Sequence, residues 1–371
     1  MRNKTIDFLR GIAIILTLFR HANIKSDFML IQIGWIGVDL FFVLSGFLVS
    51  GLIFDEFKAS GKFNGKLFLI RRGFKIYPAF WVMIVVSIIF KFIVHEDVGI
   101  KHVLSEFFFV QNYFHPMWSQ TWSLAIEEHF YFFIVAAFIV IIKFFKNVQK
   151  SIIVLAILII LYGAVAKFFI LFSDISSNFI YTDQQTSLPL GFKFMTHYRI
   201  DSLMYGLLIA YLYRYHKNLI DWLVSINYIK YTLWVIVFAG LSIPFLWSSD
   251  VYPQRMYLFR LGLTILSISF AILLILLLES KSFQKNCSAI IGTFNFNLIS
   301  KIGFYSYSIY IWHILIKDLL FLIFERFNFE QLYIGNTIYF IFSILIGVFL
   351  AKLIEIPFLK IRDKFYPKIL K

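Results

Sequence analysis

Near the N-terminus, the segment DFLRGIAIILTLFRHANI carries Arg10 and His21 eleven residues apart on one apolar run. At roughly 100° per residue, an α-helix turns both onto one face, about 16 Å apart along its axis. A guanidinium is a fixed cation whose planar fork matches phosphate oxygens, and imidazole is the natural general base near neutral pH. Inside hydrocarbon such groups are costly unless they face a bundle interior, a watery cavity or a substrate. The pair therefore marks an intramembrane functional site.

Counting along the apolar stretches predicts that His21, Asp39, Glu127, Arg199, Asp201 and His313 share one level in the outer half of a bundle. A second group, Arg10, Arg71, Arg72 and Lys75, falls toward the inner side, with Asp7 one turn before Arg10 as an ion-pair partner. A cation-rich inner mouth below an acid/base cluster describes a route. A phosphate-bearing donor docks among the cations, and its reactive end reaches His21. A carboxylate that orients the imidazole would stabilise the cation formed when it takes a hydroxyl proton. Glu127 is the first choice for that carboxylate and Asp39 the second. Ser45, Ser123 and Tyr310 are candidates for a polar contact to an acyl carbonyl oxygen. Structural alternatives stay open for several of these residues. His313, with Tyr310 one turn earlier, also reads as a hydrogen-bonded core histidine, Asp39 as a bridge between helices, and Arg199 with Asp201 as a structural ion pair.

The elements that hold these residues are membrane helices. Of 371 residues, 60% are hydrophobic and only 15% charged, and the mean hydropathy is +0.80. That composition excludes a water-soluble domain. The reading is an all-α integral membrane bundle of about ten transmembrane helices in a single domain, 1–371, with no appended soluble domain. The stretches are Ile6–Asn23, Trp35–Phe54, Phe74–Val94, Ser123–Phe145, Ile152–Phe172, Ile200–Tyr215, Tyr231–Trp247, Leu258–Leu278, Ile302–Phe324 and Tyr333–Ile356.

The net charge of +14 suggests no nucleic-acid partner, because it follows topology. Lysine and arginine cluster after the even-numbered stretches, as in Lys58, Lys62, Lys66, Lys143 and Lys146, while alternate loops hold few, such as Lys101 and Arg255. The positive-inside rule then predicts that both termini are cytoplasmic. The first stretch imitates a signal peptide but lacks a small-residue cleavage site and contains Arg10, Arg20 and His21, so it reads as a retained span. Ser173–Pro189, polar and poor in positive charge, reads as an outer binding loop or a plain connector. A lone Cys287 excludes an intramolecular disulfide and a CxxC metal site, and no metal is expected.

These segments resemble the membrane-bound acyltransferase family 3, multi-span bacterial proteins that O-acylate sugars and other hydroxyl compounds. LRGIAIILTLFRH is similar to the family's R-x10-H signature, and GVDLFFVLSGFLVSG to its second-span motif with Asp39. RRGFKIYPAFW is similar to RRxxRIxP, with Lys75 where arginine is usual, and WSLAIEEHFYF to WSLxxExxFY with Glu127. RIDSLMYGLLIA, SYSIYIWH and IEIPF also match family segments. The resemblance implies acyl-CoA, most often acetyl-CoA, as donor, held by Arg10, Arg71, Arg72 and Lys75. It also implies a glycan or glycolipid acceptor at the outer side of the bacterial inner membrane, met by Arg199, Asp201, Tyr310 and His313. Attack on the acyl carbonyl directly, or through a transient acyl-enzyme, both fit. The rival reading is a membrane transporter or polysaccharide exporter that uses the same polar cluster as a relay.

Overall fold

In the computed structural model, the described residues are 3–22, 29–114, 116–169, 194–246, 261–280, 282–327 and 332–367. They form helices and connections with no strand among them. In chain order the first are α1 (Lys4–His21), α2 (Met29–Ile33), α3 (Ile36–Ser60), α4 (Gly65–Ile93), α5 (Ile100–Phe107), α6 (Trp122–Phe144), α7 (Val148–Phe169) and α8 (Thr196–Tyr215). There follow α9 (Lys217–Ser225), α10 (Asn227–Leu246), α11 (Leu263–Glu279), α12 (Phe283–Ile291), α13 (Thr293–Phe304) and α14 (Ser306–Arg326). Last come α15 (Leu332–Leu350), a π-helical turn (Ala351–Glu355) and α16 (Ile356–Phe365). The outer-loop candidate Ser173–Pro189 and Arg255 lie outside the described residues.

Seven of these helices are long and apolar enough to cross a membrane, or eight if the bent pair α11 and α12 forms one span. The expected ten included α1 and α8, which carry charge at the bundle centre instead of a uniformly apolar surface. α1 buries Asp7, and α8 buries Arg199 and Asp201. Lipid-type surface lies elsewhere, as at Val85, Ile89 and Phe92 on α4 and Leu345 and Phe349 on α15.

Local chemistry sets the helix ends near the site. Gly61, at φ 66°, closes α3 in the left-handed conformation, and its N–H bonds Phe57 O at 2.8 Å. Asn64 then caps α4, its Oδ1 accepting from Leu67 N at 2.9 Å. This cap starts the helix nine residues before the expected Phe74, so Arg71 and Arg72 stand on the same helix as Lys75.

Between apolar helices in lipid, association rests on close packing rather than on exclusion of water. α3 packs most extensively on α8. A Cβ at Gly46 would collide with the Leu203 carbonyl, and one at Gly206 with that of Val43. α1 is likewise pressed on α13, where a Cβ at Gly303 would meet the Asp7 carbonyl. These two contacts fix the helices that bear Asp39, Arg199, Arg10 and His21.

Candidate active site

A cavity of about 760 Å³ lies between α1, α3, α4, α6 and α8, with Tyr307 of α14 and Arg362 of α16 on its walls. That volume is in the range of cofactor and small-molecule sites. Arg10, Arg71, Arg72 and Lys75 all line it, joined by Arg214 and Arg362. Asp55, Glu56, Glu127 and Glu128 are the carboxylates on the same walls, so cations predominate. Several of the cations are already held. Arg214 makes a two-pronged contact with Asp55 at 3.0 and 3.1 Å. Arg71 donates to Asp363 at 2.9 Å and to the Tyr366 carbonyl, which ties the C-terminal helix to the cavity rim. Arg72 lies over the rings of Phe68 and Tyr131, at 5.6 and 5.5 Å.

The carboxylate side of the cavity is a hydrogen-bonded chain. Tyr131 donates to Glu127 Oε2 at 2.6 Å, and because its one proton is used there, Ser45 Oγ donates to Tyr131 Oη at 2.8 Å. The adjacent Glu128 accepts from Tyr77 at 2.9 Å, and its other oxygen has no hydrogen-bond partner.

α1 runs unbroken from Arg10 to His21, and both residues meet α14. Arg10 donates to Ser306 Oγ at 3.2 and 3.0 Å, and the His21 ring lies 5.0 Å from that of His313, tilted by 55°. The one-face expectation for these two residues therefore holds, with α14 as the facing helix. Glu127 was expected at the level of His21. Instead it lies on the cavity wall with Arg10, whereas the groups that act electrostatically on His21 are His313, Lys317 and Arg20.

His313 is fully buried, and its Nδ1 sits 2.5 Å from the Tyr310 carbonyl. Tyr310 donates to the Gln120 carbonyl at 2.8 Å and meets Ser123 Oγ at 2.6 Å. Tyr310, His313 and Ser123 thus share one cluster next to His21, with Ser123 one turn of α6 before Glu127 of the Ser45–Tyr131–Glu127 chain.

Asp39, Arg199 and Asp201 form a different unit. Arg199 pairs with Asp39 at 2.6 Å, and Asp201 pairs with Lys167 at 2.6 Å, all four side chains being essentially inaccessible. The expected Arg199–Asp201 pair is replaced because residues two apart on a helix point to different sides. Each then finds its partner on another helix, Arg199 on α3 and Asp201 on α7. Asp39 is the helix bridge anticipated as one of its two readings.

Four further residues, Lys167, Arg214, Arg362 and Glu106, give little signal in the sequence. Lys167 stands alone toward the end of an apolar stretch, and its sign runs against the charge bias of that side, which was the available signal. Arg214 and Arg362 are indistinguishable in the sequence from the ordinary basic residues that follow the even-numbered stretches. Glu106, on the short helix α5, is fully buried; burial pushes its carboxyl up to about 7 against hydrogen bonds from Thr121, Met117 and Trp118.

A bundle of apolar helices with a cation-walled cavity at the Arg10 end of α1 and a paired His21 and His313 at its other end is the class that fold and site define. Residues 3–355 match the family described as acyltransferase domain, and the chain belongs to this family, acyltransferase family 3. It is similar to peptidoglycan O-acetyltransferase OatA of Listeria monocytogenes, 28% identical over 331 residues, covering 83% of this chain and 48% of the relative. It is also similar to a putative O-acetyltransferase of Staphylococcus aureus strain COL, 26% identical over 330 residues, covering 83% and 49%. A putative peptidoglycan O-acetyltransferase of Bacillus subtilis, YrhL, is 26% identical over 329 residues, covering 83% and 47%. The chain spans about half the length of these curated relatives. No solved structure matches it.

Proposed function

We propose that the chain is an integral-membrane O-acetyltransferase that moves an acetyl group from cytoplasmic acetyl-CoA to a hydroxyl of a cell-envelope glycan or glycolipid at the outer side of the bacterial inner membrane. In this reading ten spans leave both termini in the cytoplasm, and the cavity faces that side. The observation that carries it is the convergence of Arg10, Arg71, Arg72 and Lys75 on one cavity, with α1 leading from Arg10 to His21. Arginine and lysine suit the donor's phosphates. His21 is the general base that takes the proton of the attacking hydroxyl. Glu127, through Tyr131, holds the cavity wall beside Arg72. The names of the relatives support an acetyl group and a glycan acceptor.

The test uses the full-length protein in proteoliposomes with radiolabelled acetyl-CoA and an N-acetylglucosamine oligosaccharide. Thiol release together with label on the oligosaccharide is the expected outcome. A transporter would leave the thioester intact, and that result would overturn the reading.

A further inference from the structure

His313 presents a buried base with a fixed tautomer. The Tyr310 carbonyl has no proton to give, so Nδ1 of His313 must carry the hydrogen in their 2.5 Å contact. In the neutral ring the lone pair is therefore on Nε2. That atom is buried and has no hydrogen-bond partner. A histidine serving only the core would be expected to satisfy both nitrogens, since an unpaired buried acceptor carries a desolvation cost. Here one nitrogen is anchored and the other is left open beside a second imidazole.

That second imidazole is His21, with ring centroids 5.0 Å apart. The spacing is that of two imidazoles joined N–H···N at about 3 Å between nitrogens, once the rings turn a nitrogen of each toward the other. The charged groups facing the pair are Lys317 from α14 and Arg20 from α1. Among the described residues no carboxylate meets His21; Glu127, expected to support it, lies on the cavity wall and accepts from Tyr131. The orienting role that sequence reasoning gave to a carboxylate is thus open, and the open lone pair of His313 fits it.

We propose that His313 is the positioning residue for His21: its Nε2 accepts the N–H of one His21 nitrogen and so leaves the other His21 nitrogen as the base. This rests on the acetyltransferase reading above. In the transfer step the acceptor O–H bond breaks and its proton passes to His21. The hydroxyl oxygen bonds the acetyl carbon, the carbon–sulfur bond breaks, and the proton then goes to the departing thiolate. His313 gains and loses no proton overall. It fixes the tautomer of His21 and, when His21 becomes an imidazolium, accepts a charge-assisted hydrogen bond. A neutral acceptor of fixed tautomer on a rigid helix provides orientation without placing a buried negative charge in the membrane.

Two substitutions separate this role from a structural one. The short amide of His313→Asn reaches the place of Nδ1 and can keep the bond to the Tyr310 carbonyl, but nothing replaces Nε2. The longer amide of His313→Gln carries its acceptor to the place of Nε2. The full-length protein in proteoliposomes is assayed for thiol release from acetyl-CoA, with melting temperature recorded for each variant. The expected result is that His313→Asn folds yet lowers kcat about 30-fold or more with an unchanged KM for acetyl-CoA, while His313→Gln recovers a large part of the loss. In a His21→Ala background, His313→Asn should add no further loss, because it acts through His21. The reverse order, with Asn near wild type and Gln impaired, would overturn the proposal, as would a loss that multiplies with that of His21→Ala. In either case wild-type thiol release would leave the acetyltransferase reading intact. Absence of thiol release by the wild-type protein would instead defeat that reading, and this proposal with it.

Discussion

Arg199 of α8 closes on Asp39 of α3 at 2.6 Å, in a region where neither side chain meets solvent. Lys167 and Asp201 repeat the arrangement on the neighbouring faces of α7 and α8. Removing one partner of such a pair strands a buried charge, at a cost of about 3–5 kcal/mol, whereas an apolar replacement of both is often tolerated. Asp39→Ala should therefore melt far below the wild type in detergent, and Asp39→Leu with Arg199→Met should recover much of the difference. A wild-type melting temperature for Asp39→Ala would refute the clamp.

Arg71 and Arg72 stand on the first turns of α4 and line the cavity. If they hold donor phosphates remote from the reacting carbon, they supply binding that is equal in ground and transition states. Replacing both by Ala should raise the acetyl-CoA KM about tenfold or more and leave kcat within a few-fold. An unchanged KM in folded protein would remove the cavity as the donor site.

Glu106 gives stability a pH dependence of definite sign. Its carboxyl titrates at about 7 in the folded protein, against an ordinary 4.5, so the folded state keeps a proton that the unfolded chain releases between these values. Stability should fall as pH rises across that window, by an amount on the order of 3 kcal/mol, and then level off. Glu106→Gln cannot titrate and should remove this part of the slope. Melting curves of the two proteins from pH 4.5 to 8 check this, and parallel curves would contradict it.

The proposed orientation is open to labelling. In a Cys287→Ser background, a membrane-impermeant maleimide added to intact cells should reach a cysteine at Asp97, between α4 and α5, and miss one at Lys62, between α3 and α4. The opposite pattern would exchange the donor and acceptor sides.

Much of the architecture was legible in the sequence because it depends on properties of single helices. The apolar runs gave the helices, and the helical repeat put Arg10 and His21 on one face, now seen against Ser306 and His313. What depends on the relation between helices was less accessible. Depth counted from the end of each stretch put Glu127 beside His21, but it shares the cavity wall with Arg10 and accepts from Tyr131 one turn along its own helix. Asp39 and Arg199 are 160 positions apart, and no local pattern announces that contact. The start of α4 was missed because capping by Asn64 extends the helix through basic residues that an apolar window excludes.

The proposed chemistry stands on His21 as the base of acyl transfer. The most direct measurement is steady-state turnover of acetyl-CoA by purified His21→Ala in proteoliposomes, with donor affinity measured on the same sample. Loss of a general base should lower kcat by a factor on the order of 100 or more while the donor Kd stays within about twofold. Wild-type turnover in the folded variant would contradict the account.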